Sequence, residues 1–242
     1  MRKCWAKSHS ACSQGLSREH IISAGIFDQP TIFVQGFDWC QEEKEIGLSG
    51  LTSKILCRRH NSILESADRA GIAAIRVFDE TINPSQGTAD TINGLELERW
   101  LLKVAINLSF RGSEKLGVGM LGTEAGYPAP YLLEVVFGNR IFDYQMGVYV
   151  LFPAGEYRFR RGEIVVTPIR RNNEIGGVYF SLRGIHVFLS LLPGHAPPPL
   201  GKLGNITLPK HVLEANPCYR PSSIIIPKLD GIKSTIKFGW RH

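Results

Sequence analysis

The chain has 242 residues, of which 43% are hydrophobic and 21% charged, a balance typical of soluble globular proteins. Apolar runs all stay below the roughly 18 residues that a membrane-spanning helix needs, so a membrane partner is not expected. The N-terminal residues are polar and lack the apolar core of a secretory signal, which predicts a cytoplasmic location.

The net charge of +6 is unevenly distributed along the sequence. Residues 1–87 contain equal numbers of basic and acidic side chains, so the whole excess lies in residues 88–242. Phosphate groups attract Lys and Arg regardless of base sequence, so a nucleic-acid partner is compatible with this charge. A basic protein without a polyanionic partner explains the same charge equally well.

Short strands are predicted near the N-terminus. Residues 17–22 carry Glu19 and His20 and end in two isoleucines. Residues 31–35 are β-branched and aromatic, so they predict a second strand that can pair with the first as a hairpin. Residues 36–53 follow as a loop that contains an acidic cluster.

The next segment changes from strand to helix. The period changes within residues 51–76: after Cys57, apolar side chains recur at three- and four-residue steps, the period of an amphipathic helix. Cys57 and His60 stand three residues apart where this helix begins, and Asn61 follows directly. Asp68 comes seven residues after Asn61, so the two side chains share one face of the helix.

A turn-rich stretch at residues 83–87 predicts two domains, residues 1–84 and residues 85–242. Asn93 is expected to cap a helix over residues 93–108. Beyond about residue 144, strand patterns separated by turns predict an antiparallel sheet, so the expected fold class is α+β. The strands of this domain are predicted at residues 145–152, 156–159, 163–170, 177–182, 186–191, 223–226 and 232–240, the last as an edge strand.

The five cysteines favour metal ligation over a disulfide framework, because their number is odd and the expected compartment is reducing. Structural zinc takes four nitrogen or sulfur ligands, usually from two separate segments. Cys57 and His60 form one pair. Cys4 and Cys12 are the natural second pair, and His9 between them can replace either cysteine. Burial of the thiols as small apolar side chains explains the same cysteines without a metal.

Glu19, His20 and Asn61 carry the groups that phosphodiester hydrolysis needs. A hard cation such as Mg²⁺ takes oxygen ligands, which the Glu19 carboxylate and the Asn61 amide offer. The imidazole of His20 can take a proton from water. Strand alternation directs Glu19 and His20 to opposite faces unless the strand is twisted or bulged there.

A strand with Glu19-His20 and a helix start with Cys57-x-x-His60-Asn61 together resemble the zinc-bound subgroup of the HNH, or ββα-metal, endonucleases. The resemblance covers about residues 1–75 and implies an N-terminal treble-clef-like zinc module. The α+β domain with an antiparallel sheet that follows it is predicted from the strand patterns alone. It also implies three roles: His20 as general base, Glu19 and Asn61 as ligands of a catalytic Mg²⁺ or Mn²⁺, and Cys4, Cys12, Cys57 and His60 as ligands of a structural Zn²⁺.

This sequence departs from the family pattern because no histidine lies on the helix at the position of the motif's last histidine. Glu65, Asp68 or a water molecule would fill that position. An ion pair with Arg69 or Arg76 also explains Asp68 at this position. Asp68 is therefore the less favoured candidate among the ion ligands.

The resemblance implies metal-dependent hydrolysis of DNA, in a bacterial defence or mobile-element system. Arginine reads phosphate as a bidentate fork, so an arginine-rich stretch of the second domain is expected to grip the nucleic-acid backbone. Its members are Arg158, Arg160, Arg161, Arg170 and Arg171. Two alternatives stay open: an inactive HNH fold that binds nucleic acid, and an interaction subunit that docks a partner protein or forms a homodimer.

Overall fold

The computed structural model describes residues 4–13, 15–36, 40–82, 91–110, 127–152, 164–171, 174–191, 215–227 and 233–241. Contacts within the chain define two compact units. The first unit comprises Met1–Ile72 and Arg99–Arg140, and the second comprises Ala73–Glu98 and Ile141–His242. The boundary predicted between residues 84 and 85 lies outside the described residues.

The described α-helices lie between residues 58 and 136, with most strands before or after them, and the prediction of an α+β fold is confirmed. The strands are β1 (Leu16–His20), β2 (Thr31–Val34), β3 (Lys44–Gly47), β4 (Thr52–Cys57), β5 (Thr91–Asn93), β6 (Gly147–Phe152), β7 (Ile164–Arg171), β8 (Glu174–Leu182), β9 (Ile185–Ser190), β10 (Asn216–Tyr219), β11 (Ser223–Pro227) and β12 (Lys233–Gly239). The helices are α1 (Arg58–Ile63), α2 (Glu65–Ile82), α3 (Gly94–Phe110) and α4 (Pro130–Val136). None of the described helices is long and apolar enough to cross a lipid bilayer.

Strand β1 pairs antiparallel with β4, and β2 pairs with β3. The predicted hairpin of residues 17–22 with residues 31–35 is therefore wrong. The reason is that β2 and β3 pack on their own small cluster of Val34, Cys40 and Leu51, so β2 is not available to cover β1. Because β4 leads directly into α1, the Cys57 end of the β1–β4 ribbon meets the start of that helix.

The β1–β4 ribbon contains a bulge. Between Ser17 and Glu19, β1 advances by two residues, whereas β4 advances by three between Leu56 and Ser53. One extra residue of β4 is therefore inserted opposite Arg18. Such bulges bend a strand and redirect its side chains. This bulge ends before the Glu19–His20 step, so the alternation between those two residues is retained.

Helix α3 packs against α2 within the first unit through Trp100, which is 1% exposed. The close approach requires a glycine on α2, because a Cβ at Gly71 would overlap the indole ring of Trp100. At its other end, α3 begins with the predicted cap: the amide of Glu96 donates to Oδ1 of Asn93 at 3.1 Å. The prediction of Asn93 as the capping residue is confirmed.

We expect Gly71→Ala to destabilise the protein by about 2 kcal/mol in chemical denaturation. Overpacking against a rigid buried ring costs up to about 3 kcal/mol, while alanine gains about 1 kcal/mol over glycine in a helix, so the clash wins. Gly25→Ala is the control, because the nearest atom to its new Cβ is the flexible end of Ile72. A Gly71→Ala protein as stable as the wild type would contradict the close helix contact.

The described residues of the second unit form two sheets. Five antiparallel strands lie in the order β10-β6-β9-β8-β7, and their core includes Tyr149, Tyr179 and Phe188. Three further strands lie in the order β11-β12-β5, with β12 parallel to β5. The segment 232–240, predicted as an edge strand, therefore lies in the middle of its sheet. Ile236 and Phe238 are buried there, as expected for a strand with a neighbour on each side.

Candidate metal centre and the neighbouring polar network

The N-terminal segment is held against the β4–α1 junction. The amide of Trp5 donates to the carbonyl of Ile55 at 3.0 Å, which aligns the segment with β4. Trp5 itself is fully buried, and its indole donates to Oδ1 of Asn107 at 3.1 Å. These contacts fix Cys4 beside Cys57, the last residue of β4.

Four side chains converge at this junction: Cys4, Cys12, Cys57 and His60. Their ligand atoms all lie within 4.8 Å of one another, and Cys12 alone among them is exposed. The three Sγ atoms lie 3.3, 3.8 and 3.3 Å from Nδ1 of His60. A tetrahedral Zn²⁺ with ordinary Zn–S and Zn–N bonds requires S···N separations of about 3.6 Å. The cluster can therefore bind a metal such as zinc, as the spacing of these residues predicts.

His60 is oriented by a hydrogen bond on the far side of its ring. Its Nε2 lies 2.8 Å from Oγ of Ser10, while Nδ1 faces the three sulfurs. If Nε2 carries the proton and donates to Ser10, the Nδ1 lone pair points at the metal position. Burial lowers the pKa of His60, with further contributions from His9 and Arg59, and thus favours the neutral ring that a metal requires.

The cluster thiols differ in acidity. Burial raises the pKa of the Cys57 thiol, but hydrogen bonds from the backbone of His60 and from Ser13 outweigh burial and lower that pKa to about 7. Burial raises the pKa of the Cys4 thiol to about 12. Because the thiolate is the metal ligand, Cys57 is the sulfur best prepared to bind first.

His9 lies outside this ligand set. Its ring stacks on Phe137 at 4.2 Å between ring centres, and its Nδ1 lies 3.4 Å from Oε1 of Glu134. Phe137 also meets the edge of the His60 ring at 5.4 Å. The stacked rings of His9 and Phe137 thus lie next to the cluster. The structure favours Cys4 and Cys12 over His9 as the second ligand pair.

We expect Ser10→Ala to weaken zinc affinity about 10-fold, because the loss of an outer hydrogen bond frees the ligand ring to rotate. Competition with a chromogenic chelator measures the change. Ser8→Ala is the matched control, since Ser8 is an exposed serine of the same turn. Equal affinities for the two variants would show that the Ser10 contact does not orient His60.

The three residues predicted to carry out hydrolysis are not brought to a common point. Glu19 is 4% exposed, whereas the adjacent His20 is half-buried, so the alternation of β1 directs them to opposite faces. The Asn61 amide donates to Oγ of Ser17 at 3.2 Å, and Ser17 lies two residues before Glu19 on the same strand. Asn61 and Glu19 therefore lie on the same side of the β1–β4 ribbon.

Glu19 and Asp68 share a buried lysine. Nζ of Lys103 lies 2.5 Å from Oε1 of Glu19 and 2.5 Å from Oδ2 of Asp68. Burial raises the pKa of the Glu19 carboxyl, and the Lys103 ammonium opposes that rise. The expectation that Asp68 pairs with Arg69 or Arg76 is corrected by this contact. Arg69 pairs instead with Glu65, at 2.6 Å, because that residue lies one helical turn before it on α2.

Helix α3 carries this network on one face. Trp100 donates through its indole nitrogen to Oγ of Ser23 at 2.9 Å, and that hydroxyl donates to Oδ1 of Asp68 at 2.6 Å. The Asn107 amide donates to the carbonyl of His20 at 3.3 Å. The three α3 residues Trp100, Lys103 and Asn107 follow the three- and four-residue steps of a single helix face. Lys103 and Asn107 are polar residues on the otherwise apolar face of this helix, and the sequence analysis did not use that signal.

The carboxylates as they lie do not fit a divalent ion at Glu19. An ion ligand needs a free carboxylate oxygen facing the metal, and Lys103 already fills the space between Glu19 and Asp68. The described residues therefore support a zinc-type cluster at Cys4, Cys12, Cys57 and His60, and the Mg²⁺ or Mn²⁺ ligand roles of Glu19 and Asn61 remain predictions.

Most of the predicted arginine surface lies outside the described residues. Arg158, Arg160 and Arg161 lie outside the described residues, and Arg170 and Arg171 are the last two residues of β7. A search of protein-family models, of curated proteins and of solved structures found no match to this chain.

Proposed function

We propose that the chain is a zinc-stabilised HNH-type endonuclease that hydrolyses phosphodiester bonds in DNA. The observation that supports this most strongly is the cluster of Cys4, Cys12, Cys57 and His60 at the start of α1, directly before Asn61. The Asn61 side chain reaches β1 through Ser17, so the strand and the helix that the resemblance requires are in contact. A role in bacterial defence or in a mobile element belongs to the same proposal.

His20 is the residue we propose as general base. Its side chain is half-buried on β1, so water can reach the ring, and its cross-strand partner is Thr52. In the proposed step the imidazole takes a proton from water as the water oxygen attacks phosphorus. The bond from phosphorus to the 3′-oxygen breaks, and that oxygen takes up a proton from solvent and leaves as a 3′-hydroxyl. The exposed side chains of Arg18 and Lys54, also on the β1–β4 ribbon, favour a phosphate backbone at this surface.

A divalent ion, when bound, would neutralise the negative charge that develops on the phosphate. The amide oxygen of Asn61 would be the remaining candidate ligand, and it lies on the face of the β1–β4 ribbon opposite the His20 ring, so the proposed proton transfer to His20 does not use that ion. Because the Glu19 carboxylate is held by that lysine, we derive no step through an ion at Glu19.

The test is a supercoiled-plasmid assay with zinc-loaded protein in the presence of Mg²⁺, of Mn²⁺ or of neither. A single hydrolytic site cuts one strand at a time, so we expect nicked circles to appear before linear DNA. Addition of a chelator should stop the reaction. Plasmid that stays supercoiled with both ions and at high protein concentration would contradict the proposal.

The buried Lys103 favours a second candidate, an HNH fold without hydrolytic activity that binds nucleic acid or a protein partner. Its ammonium supplies the positive charge that a catalytic ion would otherwise bring to Glu19. A mobility-shift experiment on the plasmid samples separates the two candidates. Retarded DNA that remains uncut favours the binding function, and nicking favours the nuclease.

A further inference from the structure

We infer that Lys103 is an internal cation shared by two acids, and that the Glu19–Lys103–Asp68 triad holds β1 to α2 and α3 instead of binding a divalent metal ion. The inference does not depend on nuclease activity. It assigns Glu19 and Asp68 a structural role that differs from the ligand roles expected from the sequence.

Lys103 and Glu19 are deeply buried. The side chain of Lys103 is 2% exposed and that of Glu19 is 5% exposed, while that of Asp68 is 23% exposed. A lysine so deeply buried is retained only where carboxylates compensate its charge. Both contacts of the ammonium are 2.5 Å long, so one cation serves two acids at once.

Hydrogen-bond donors from other elements hold the carboxylates in place. Oδ1 of Asp68 accepts from Ser23 at 2.6 Å, and Ser23 in turn accepts from the indole of Trp100 at 2.9 Å. Each carboxylate is thus engaged by a donor on another part of the unit. The elements joined are β1 through Glu19, α2 through Asp68 and α3 through Lys103.

The Lys103 ammonium would repel a divalent ion bound at Glu19. A divalent ion bound to Glu19 at normal metal–oxygen distance would lie about 4 Å from the ammonium nitrogen. Two cations at that separation in a water-poor interior repel strongly. The triad carries one positive and two negative charges, so the ammonium already removes much of the field that would attract Mg²⁺ or Mn²⁺.

Manganese binding tests the inference directly. In zinc-loaded protein, electron paramagnetic resonance measures the loss of the free Mn²⁺ signal. Wild type and Glu19→Gln should bind Mn²⁺ equally, as should the control Glu65→Gln, which changes an exposed carboxylate on α2. Lys103→Met leaves two neighbouring carboxylates without their cation, so its affinity for Mn²⁺ should rise about 10-fold, and the added Glu19→Gln change should abolish the gain.

A wild-type site whose Mn²⁺ affinity falls about 10-fold on Glu19→Gln would overturn the inference, because Glu19 would then be a ligand. This comparison decides the question even if Lys103→Met fails to fold, since both proteins keep the lysine. A Lys103→Met protein that folds and gains no Mn²⁺ affinity would also count against the view that the ammonium occupies a cation position.

Thermal unfolding supplies an independent measurement. Lys103→Met leaves the buried Glu19 and the partly exposed Asp68 without their cation, so we expect the melting temperature to fall by about 10 °C. The triple variant Lys103→Met, Glu19→Gln, Asp68→Asn removes all three charges together and should recover most of that loss. If the triple variant is no more stable than Lys103→Met, the three charges do not act as one structural unit. Nuclease activity enters neither measurement, so failure of the proposed function would leave both results interpretable.

Discussion

A Cys57→Ser variant is expected to bind no zinc and to lose the tertiary structure of the first unit. Cys57 supplies a cluster ligand and also joins β4 to α1, so its loss opens the centre of the site. Structural zinc contributes about 10–16 kcal/mol of apparent binding energy, which equals or exceeds the total stability of about 5–15 kcal/mol that is usual for a domain. Elemental analysis of zinc per chain and near-ultraviolet circular dichroism measure the two losses.

Cys218→Ser is the matched control for this experiment. Cys218 is partly exposed on β10 and belongs to the second unit, whereas the four ligands belong to the first. The control should retain one zinc per chain and the wild-type spectrum. A Cys57→Ser protein that keeps its zinc and its spectrum would mean that the four side chains do not form a metal centre.

His20→Ala is expected to lower metal-dependent plasmid nicking by at least about 100-fold, the usual loss when a general base is removed. The ring is half-buried, and the hydrogen bond between His20 and Asn107 uses the backbone carbonyl of His20, which alanine retains, so the fold should tolerate the change. Initial rates of nicking at saturating Mg²⁺ or Mn²⁺ give the effect, and zinc content and melting temperature should stay at wild-type values.

Thr52→Ala is the control that matches this variant in position. Thr52 is the cross-strand partner of His20, and its hydroxyl donates to the carbonyl of Ser49 at 2.7 Å. We expect the control to nick plasmid at nearly the wild-type rate. Equal nicking by the wild type and by a folded His20→Ala protein would remove His20 from the proposed mechanism.

The zinc-type cluster could be predicted from sequence because its chemistry is local. Cys57 and His60 stand one helical turn apart, and this spacing alone brings a sulfur and an imidazole nitrogen together. A four-ligand site then demands a second pair, and Cys4 and Cys12 were the nearest candidates. The pattern could not decide against His9, because its stacking on Phe137 depends on α4, far along the chain.

The pairing of β1 and the environment of Glu19 could not be predicted in this way. Alternating apolar residues identify a strand, yet they do not say which other strand will lie beside it. Adjacent strands in sequence are the usual choice, and here β2 has its own partner, so β1 pairs with β4 across a long insertion.

The role of Lys103 was equally hidden, because its two carboxylates come from β1 and α2 and meet it only in the folded unit. A lysine within a helix usually extends to solvent, and composition gives no sign that this one is buried. The consequence is specific. Sequence spacing brought the four candidate zinc ligands together correctly, whereas Glu19 and Asp68, two of the oxygen ligands suggested for a catalytic ion, contact an ammonium group.

X-ray absorption at the zinc edge, measured on the purified protein, examines the candidate centre most directly. We expect one zinc per chain with three sulfur neighbours at about 2.3 Å and one nitrogen at about 2.0 Å. A first shell dominated by oxygen, or protein that takes up no zinc when the metal is supplied, would show that Cys4, Cys12, Cys57 and His60 do not hold the first unit together through a metal ion.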